Sequence, residues 1–252
     1  MSTFMLKVIA TMLMVIDHIG SYFEEIPFAF ALRIVGRSSY PLFLFCMVWG
    51  YHYTKSRKLF LLRLYLMSLL MGLMMYLIEY HFFPDAVIGY GYHNIFQSML
   101  LVGVLISIIE TYLQDKKKAS WMLIGFLVSQ LSFYILPKYI PILRHLSGDH
   151  LSAVFPSLRI NEYGIEFVAL GVLMYFLKEK KDLFSVMYLL FCIAQFTDDM
   201  DHGIPMQSYM VFALPLMLRY NKEKGHGAKY FFYLFYPAHT FILFYLANRL
   251  AA

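Results

Sequence analysis

The sequence predicts an all-α fold, a polytopic transmembrane helix bundle of nine spans, or ten if one more is hidden in a mixed segment. Three observations carry this. The 252-residue chain is 60% hydrophobic and only 15% charged, whereas soluble domains run at roughly 45–50% apolar and about 25% charged. The apolar residues fall in blocks of roughly 15–22 residues, near the roughly 20 that cross a bilayer core of about 30 Å. Short clusters of Lys, Arg, Asp and Glu separate those blocks. The same composition excludes a soluble enzyme, a secreted disulfide scaffold and a disordered tail. The net charge of +5 does not argue for nucleic acid, because basic loops on a membrane chain report orientation. Cys46 and Cys192 both lie inside apolar blocks, where a thiol packs as a small hydrophobe and offers no zinc or redox spacing.

Block length and flanking charge set the spans in order. The first runs from Lys7 to Ile26 and the second from Ser39 to Thr54, ending at the cluster Lys55, Arg57 and Lys58. The third, Leu59 to Tyr80, and the fourth, Asn94 to Leu113, precede the lysine run 116–118. Ser120 to Tyr139 is the fifth. Residues 140–162 are mixed and carry two prolines, which predicts a long outer loop with an amphipathic or re-entrant piece; a tenth span would lie here. Tyr163 to Leu177, Leu183 to Thr197, Pro205 to Leu218 and Tyr230 to Ala247 complete the nine. Several are short, so tilt or burial within the bundle is expected. With no repeat and no long charged linker, the chain reads as a single integral-membrane domain, 1–252.

Cytoplasmic loops hold the excess of basic residues. One set of alternate loops carries 15 of the 21 Lys and Arg: Lys7, the 55–63 cluster, 116–118, 178–181 and 219–229. The amino terminus is therefore expected in the cytoplasm, with the carboxyl terminus and the acidic cluster Asp198, Asp199 and Asp201 outside. A cleaved signal peptide is the rival account of the start, since Phe28-Ala29-Phe30-Ala31 mimics a cleavage site. However, Asp17, His18, Glu24 and Glu25 intervene where an apolar core should lead straight to it.

Ionisable groups at bilayer depth cost at least about 2.5 kcal/mol each on insertion scales, so they face a cavity or a partner and mark function by default. Asp17 and His18 interrupt the first span and His239 the last. At about 1.5 Å per residue, His18 lies roughly 16 Å above Lys7 and His239 about 15 Å above Lys229, both near the midplane. Eleven residues make close to three turns at about 3.6 per turn, so Lys7 and His18 share a face. Imidazole takes and returns a proton near neutral pH, as an attacking hydroxyl or amine requires. Asp17 points about 100° away from His18 and is expected to pair with Arg33, Arg37 or a group on another helix. Paired guanidinia at Arg33 and Arg37 would suit a carboxylate or phosphate. Pro237 is expected to kink the last span and expose a carbonyl near His239. Tyr236 lies on the His239 face. For each of these side chains, inter-helix hydrogen bonding alone is the competing account. The remaining histidines show no metal-ligand spacing, so no metal is expected.

The segments LKVIATMLMVIDHIG, LRIVGRSSYPLFLFCMVWGYHYTKSRKLFLLRL, HNIFQSMLLVGVL and ALPLMLRYNKEKGHGAKYFFYLFYPAHTFIL occur in an order that resembles the TraX family of bacterial membrane proteins. The Asp-His of the first span, Arg-x-x-x-Arg before the second and Tyr-Pro-x-His in the last carry the likeness. The resemblance implies an integral-membrane acetyltransferase of the bacterial inner membrane, similar to a wider superfamily of transmembrane acyltransferases that use cytoplasmic acyl-CoA. In much of that superfamily an Arg precedes a first-helix catalytic His by eleven positions; Lys7 and His18 have that spacing here, with the charge kept and the bidentate fork lost. Family members often read Tyr-Asn-Gly-Lys before the last span, and this chain reads Tyr220-Asn221-Lys222-Glu223.

The expected enzyme takes acetyl-CoA, or another acyl-CoA, from the basic side. Lys7, Lys229 and Tyr236 serve the donor, and His18 is the general base with Asp17 and His239 as catalytic partners. Arg33, Arg37 and Asp199 shape the acceptor mouth. The expected partners are acyl-CoA, an envelope glycan, lipid-linked or pilin acceptor, membrane lipids and a second copy of the chain; nucleic acid is not among them. A proton-coupled transporter or flippase and a non-catalytic pilus or envelope assembly factor are the rival functions. The absence of an internal repeat and of paired broken helices counts against transport.

Overall fold

The computed structural model describes residues 1–202 and 205–251, except for the side chains of residues 198–202 and Lys229. Every regular element among the described residues is helical: α1 (Thr3–Tyr22), α2 (Ala29–Gly36), α3 (Ser39–Tyr53), α4 (Arg57–Leu77), α5 (Ile95–Gln114), α6 (Lys116–Tyr139), α7 (Gly148–Val154), α8 (Gly164–Leu177), α9 (Lys181–His202), α10 (Leu214–Leu218) and α11 (Lys229–Ala251). A π-turn over Ile78–Phe82 and 3-10 turns over Pro141–His145 and Gln207–Ala213 join them. Short polar side chains start the helices where an orphan amide needs a partner. Ser2 accepts from Met5 N (3.3 Å), Ser56 from Leu59 N (3.4 Å), Asn94 from Gln97 N (3.3 Å) and Asp115 from Lys118 N (3.0 Å).

Six described stretches are long and apolar enough to cross a bilayer: Thr3–Tyr22, Ala29–Tyr53, Arg57–Phe82, Ile95–Gln114, Lys116–Tyr139 and Tyr230–Ala251. The second begins ten residues before the expected Ser39, because α2 and α3 follow one another as a single apolar stretch that includes Arg33 and Arg37. Two expected spans are shorter apolar helices, Gly164–Leu177 and Gln207–Leu218. At about 1.5 Å per residue the first reaches only about 21 Å, and the second combines a 3-10 turn with the five-residue α10, which has a proline in its first turn. The seventh expected span, Leu183 to Thr197, lies within the 22-residue α9. Residues 140–162 form the 3-10 turn and α7, with His150, Leu151, Ser152 and Ala153 buried.

The chain packs as two compact units. The first comprises Met1–Gly50, Val87–Gly89 and the chain from Phe176 onward. In it, α1 buries Leu6, Ala10, Met14, Asp17 and His18, a three-to-four spacing that forms one helical face. Gly20 and Gly36 let α2 lie directly on that helix. A Cβ at Gly36 would fall 2.3 Å from Asp17 Cβ, and one at Gly20 would fall 2.6 Å from the Ala29 carbonyl oxygen. The amino terminus is tied to the loop before α11: Thr3 N donates to Glu223 O (2.8 Å), Phe4 N to Lys224 O (3.1 Å) and Asn221 N to Met1 O (3.0 Å). Lys222 pairs with Glu179. The start of α1 and the basic segments around 179 and 219–224 therefore share one end of this unit.

The second unit comprises Tyr51–Ala86 and Tyr90–Tyr175. Helix α5 is its core, burying Ile95 through Gly103. Helix α6 is the opposite case: Trp121, Leu123, Ile124, Leu127, Val128 and Leu131 are all exposed, a surface suited to lipid and not to water.

Candidate functional site

Helices α1 and α11 bring two buried imidazoles together although they are 221 residues apart. His18 Nδ1 and His239 Nε2 lie 2.8 Å apart, with the ring planes within 9° of each other. His239 Nδ1 is 2.9 Å from the carbonyl of Phe235. A carbonyl only accepts, so His239 Nδ1 carries a proton; in neutral His239 the Nε2 lone pair then accepts, and His18 Nδ1 must donate. The remaining basic lone pair of the couple therefore lies on His18 Nε2 when both rings are neutral. Phe235 stacks on His239 with centroids 5.1 Å apart. Tyr236, itself buried, meets the same ring edge-on at 5.6 Å.

The proline in α11 contributes locally. Pro237 has no amide hydrogen to give to the carbonyl four residues back, at Tyr233, and in the turn that follows side chains bind back to backbone carbonyls. Thr240 Oγ1 donates to Tyr236 O and Pro237 O, both at 3.1 Å, and His239 takes Phe235 O.

Of the partners open to Asp17, Arg37 takes it in a two-pronged pair: Nε donates to Oδ1 at 3.1 Å and Nη2 to Oδ2. Arg37 also donates through Nη1 to Gln207 Oε1 at 3.3 Å. The glycine contact described above makes this reach available. Both Asp17 oxygens serve Arg37, so the carboxylate anchors the end of α2 to α1 next to His18. Arg33, one turn earlier, has a buried Nε without a hydrogen bond. Lys7, three turns below His18, lies with its ammonium 5.5 Å from the centroid of the Phe232 ring. At heights between Lys7 and the histidines, though lined by none of the three, α1 and α11 frame an open apolar groove of about 880 Å³, walled by Val8, Met12, Val15, Phe232 and Phe235 among others. The side chains of Asp199 and Lys229, expected at the acceptor mouth and the donor end, lie outside the described residues, as do those of Asp198 and Asp201. Both cysteines are buried free thiols. Among the described residues, no group of three His, Cys, Asp or Glu is arranged to hold a metal.

The second unit holds a polar cluster that depth in the membrane does not single out. Asn94, Gln97 and Ser98 are fully buried and hold residues 157–162 on α5. Gln97 Nε2 donates to Ile160 O (2.9 Å), Ser98 Oγ to Asn161 Oδ1 (3.0 Å), and Asn94 N to a Glu162 oxygen (2.6 Å). Their signal was present as three polar residues at i, i+3 and i+4 on one face of an otherwise apolar helix. Beside them, Ser147 Oγ lies 2.5 Å from His150 Nδ1, and His150 Nε2 is 3.4 Å from Glu79 Oε2. Burial pushes the His150 imidazole below its ordinary value of 6.5, against the opposing pull of Asp149. The folded state thus prefers neutral His150. Its stability should be intact above about pH 6.5 and fall as pH drops through that value towards the depressed folded one. Thermal midpoints measured from about pH 7.5 to 5.5 should fall in the wild type, and the fall should be smaller in His150→Gln. Equal slopes would remove His150 as the source.

A family model described as TraX protein matches residues 2–140, the part that includes Lys7, Asp17, His18, Arg33 and Arg37. Neither the curated proteins nor the solved structures contain a match to the chain.

Proposed function

The chain belongs to the TraX family, and from that premise we propose that it is a membrane-embedded acetyltransferase moving an acetyl group from acetyl-CoA to an envelope acceptor, such as the amino terminus of pilin or a glycan. The observation that supports this most is the His18–His239 couple, because its hydrogen bonds leave a basic nitrogen on His18. An acceptor hydroxyl or amine attacks the thioester carbonyl while its proton passes to His18 Nε2. As His18 becomes imidazolium, its Nδ1–H bond to His239 strengthens. The C–S bond then breaks, and the proton leaves with the coenzyme A thiolate. Tyr236 is the candidate donor to the oxyanion. Asp17 and Arg37 position α2 against the His18 helix and are not proton carriers.

The donor approaches from the end of the first unit where the amino terminus meets the basic loop at 219–224, which in this reading is cytoplasmic. Its slender arm follows the groove from Lys7 upward, with methylene segments against Val8, Met12 and Phe232. In the same reading the short α8 and 207–218 segment and the longer α9 are further crossings that bring the spans to nine.

One experiment tests the chemistry and the orientation together. Radiolabelled acetyl-CoA is supplied to inside-out and to right-side-out membrane vesicles holding the protein. Transfer of label to an envelope component is expected in the inside-out vesicles only. Label transfer in neither preparation would sink the acetyltransferase reading, and transfer in right-side-out vesicles alone would reverse the orientation.

A further inference from the structure

Helices α5 and α6 of the second unit are joined by the single residue Asp115 and pack on one another. Asp115 fixes the junction: its N donates to Thr111 O at 2.7 Å, and its carboxylate accepts from Lys118 N at 3.0 Å. Further along α6, Gln130 clasps the chain that follows α7, donating through Nε2 to Pro156 O at 2.7 Å and accepting from Leu158 N at 2.8 Å. Between these two fixed points the helices do not close. They leave a half-open apolar groove of about 290 Å³, walled by Val104 and Ile108 on α5, by Met122, Phe126 and Ser129 on α6, and by Pro156 among others. Packed interiors rarely keep such a void. Helix α6 buries only Ala119 and Phe133, so the groove borders a helix surface suited to lipid.

Size and chemistry select the occupant. The volume takes roughly ten groups the size of a water molecule, at about 30 Å³ each, which is the bulk of a single hydrocarbon chain. A helix about 10 Å across does not enter it. Ser129 supplies the only polar side chain of the wall among the described residues, so a ligand rich in amides would lose hydrogen bonds there.

Charge lies at one end. One turn beyond Met122, towards the start of α6, Lys118 falls on the same face, and one turn beyond Ile108 on α5 comes Tyr112. Both are exposed, and the Lys116 ammonium lies 5.8 Å from the centroid of the Tyr112 ring. The carboxylate at this end, Asp115, is held on the Lys118 amide, and with Lys117 the rim keeps a net positive charge. The groove therefore runs from a cationic rim along an apolar wall to a stop at Pro156.

We propose that this groove binds one acyl chain of an anionic phospholipid from the surrounding bilayer, with the lipid phosphate held at Lys118 and Lys116. Lysine ammonium groups give a phosphate charge-assisted hydrogen bonds. Inside a bilayer the chain gains packing contacts and no relief from water, so the headgroup charge sets the selectivity. The site goes beyond the acetyl-transfer reading and does not depend on it.

Delipidated protein in detergent is titrated with phosphatidylglycerol and with phosphatidylcholine of equal chain length, and bound lipid is counted by native mass spectrometry. One phosphatidylglycerol is expected to bind about tenfold or more tightly than phosphatidylcholine. Lys118→Gln should cut that preference about fivefold, the worth of one basic residue near a charged surface. Val104→Phe fills the groove from α5 and leaves the lysines in place, so it should weaken both lipids together; Ser129→Leu should do the same from α6. Phosphatidylglycerol carrying a photoreactive group on its chain should crosslink to residues 122–129, and inorganic phosphate should not displace it. Thermal midpoints in lipid-free detergent check folding, and because the two groove-filling substitutions lie on different helices, one that misfolds leaves the other to decide. Equal binding of the two lipids, an unchanged preference in Lys118→Gln, undiminished binding in a folded groove-filling variant, displacement by inorganic phosphate, or crosslinks confined to other segments would each overturn the assignment.

Discussion

His18→Gln protein is expected to insert and fold normally but to transfer acetyl groups about 10²–10⁴-fold more slowly, the range a positioned general base contributes. Gln keeps a polar side chain of similar reach, so a hydrogen bond towards His239 remains available, but the basic nitrogen is gone. The alternative, in which the histidines only join α1 to α11, predicts another outcome. Intramembrane hydrogen bonds average about 0.6 kcal/mol, so their loss would appear as slight destabilisation with activity per folded molecule intact. His239→Gln should be the milder lesion, since His18 keeps its own basic nitrogen and loses only the partner that sets its tautomer. Turnover per folded molecule, with folding checked by thermal midpoint in detergent, separates these cases. Wild-type turnover in His18→Gln would falsify its role as the base.

The second large effect is expected at the Asp17–Arg37 pair. Its side chains are only 13% and 18% exposed, and both carboxylate oxygens accept from the guanidinium. Removing one partner of such a pair leaves a charge largely cut off from water, at a cost of about 3–5 kcal/mol when burial is complete. With this residual exposure the lower end, about 3 kcal/mol, is expected for Asp17→Asn or Arg37→Met alone. The two substitutions together should recover much of the loss, because no unmatched charge remains. Equilibrium denaturation in detergent micelles with a double-mutant cycle measures the coupling. Single variants within about 0.5 kcal/mol of wild type would mean that water reaches the pair and that it does not lock α2 in place. Transfer activity should fall with the single variants in proportion to folded protein, as befits a positioning role.

Several features of the site were legible because they depend on the chain alone. Hydropathy and block length locate the long helices. The rise per residue puts His18 and His239 at matching depths, and the helical period puts Lys7 and His18 on one face. Polar residues in apolar runs mark positions that need partners. Crossing number was harder to read: α8 has the composition of a span but only 14 residues, and in the 207–218 segment a 3-10 turn and a proline divide what hydropathy counts as one block. The buried Asn94, Gln97 and Ser98 were also missed, since burial beneath residues 157–162 depends on a chain segment some sixty positions away.

The sequence by itself determined that this is a helical membrane protein of the TraX family and which residues were too polar for lipid. Both follow from local properties: composition, periodicity and motif order. Only the tertiary structure decided that Asp17 binds Arg37 and that the His18 and His239 rings meet with the basic nitrogen left on His18. A side chain's partner is set by which helix faces pack together, and here that depends on contacts as particular as Gly36 against Asp17. Hydropathy records how strongly a group seeks a partner, but it contains no term for which of several equally suitable groups will be within reach.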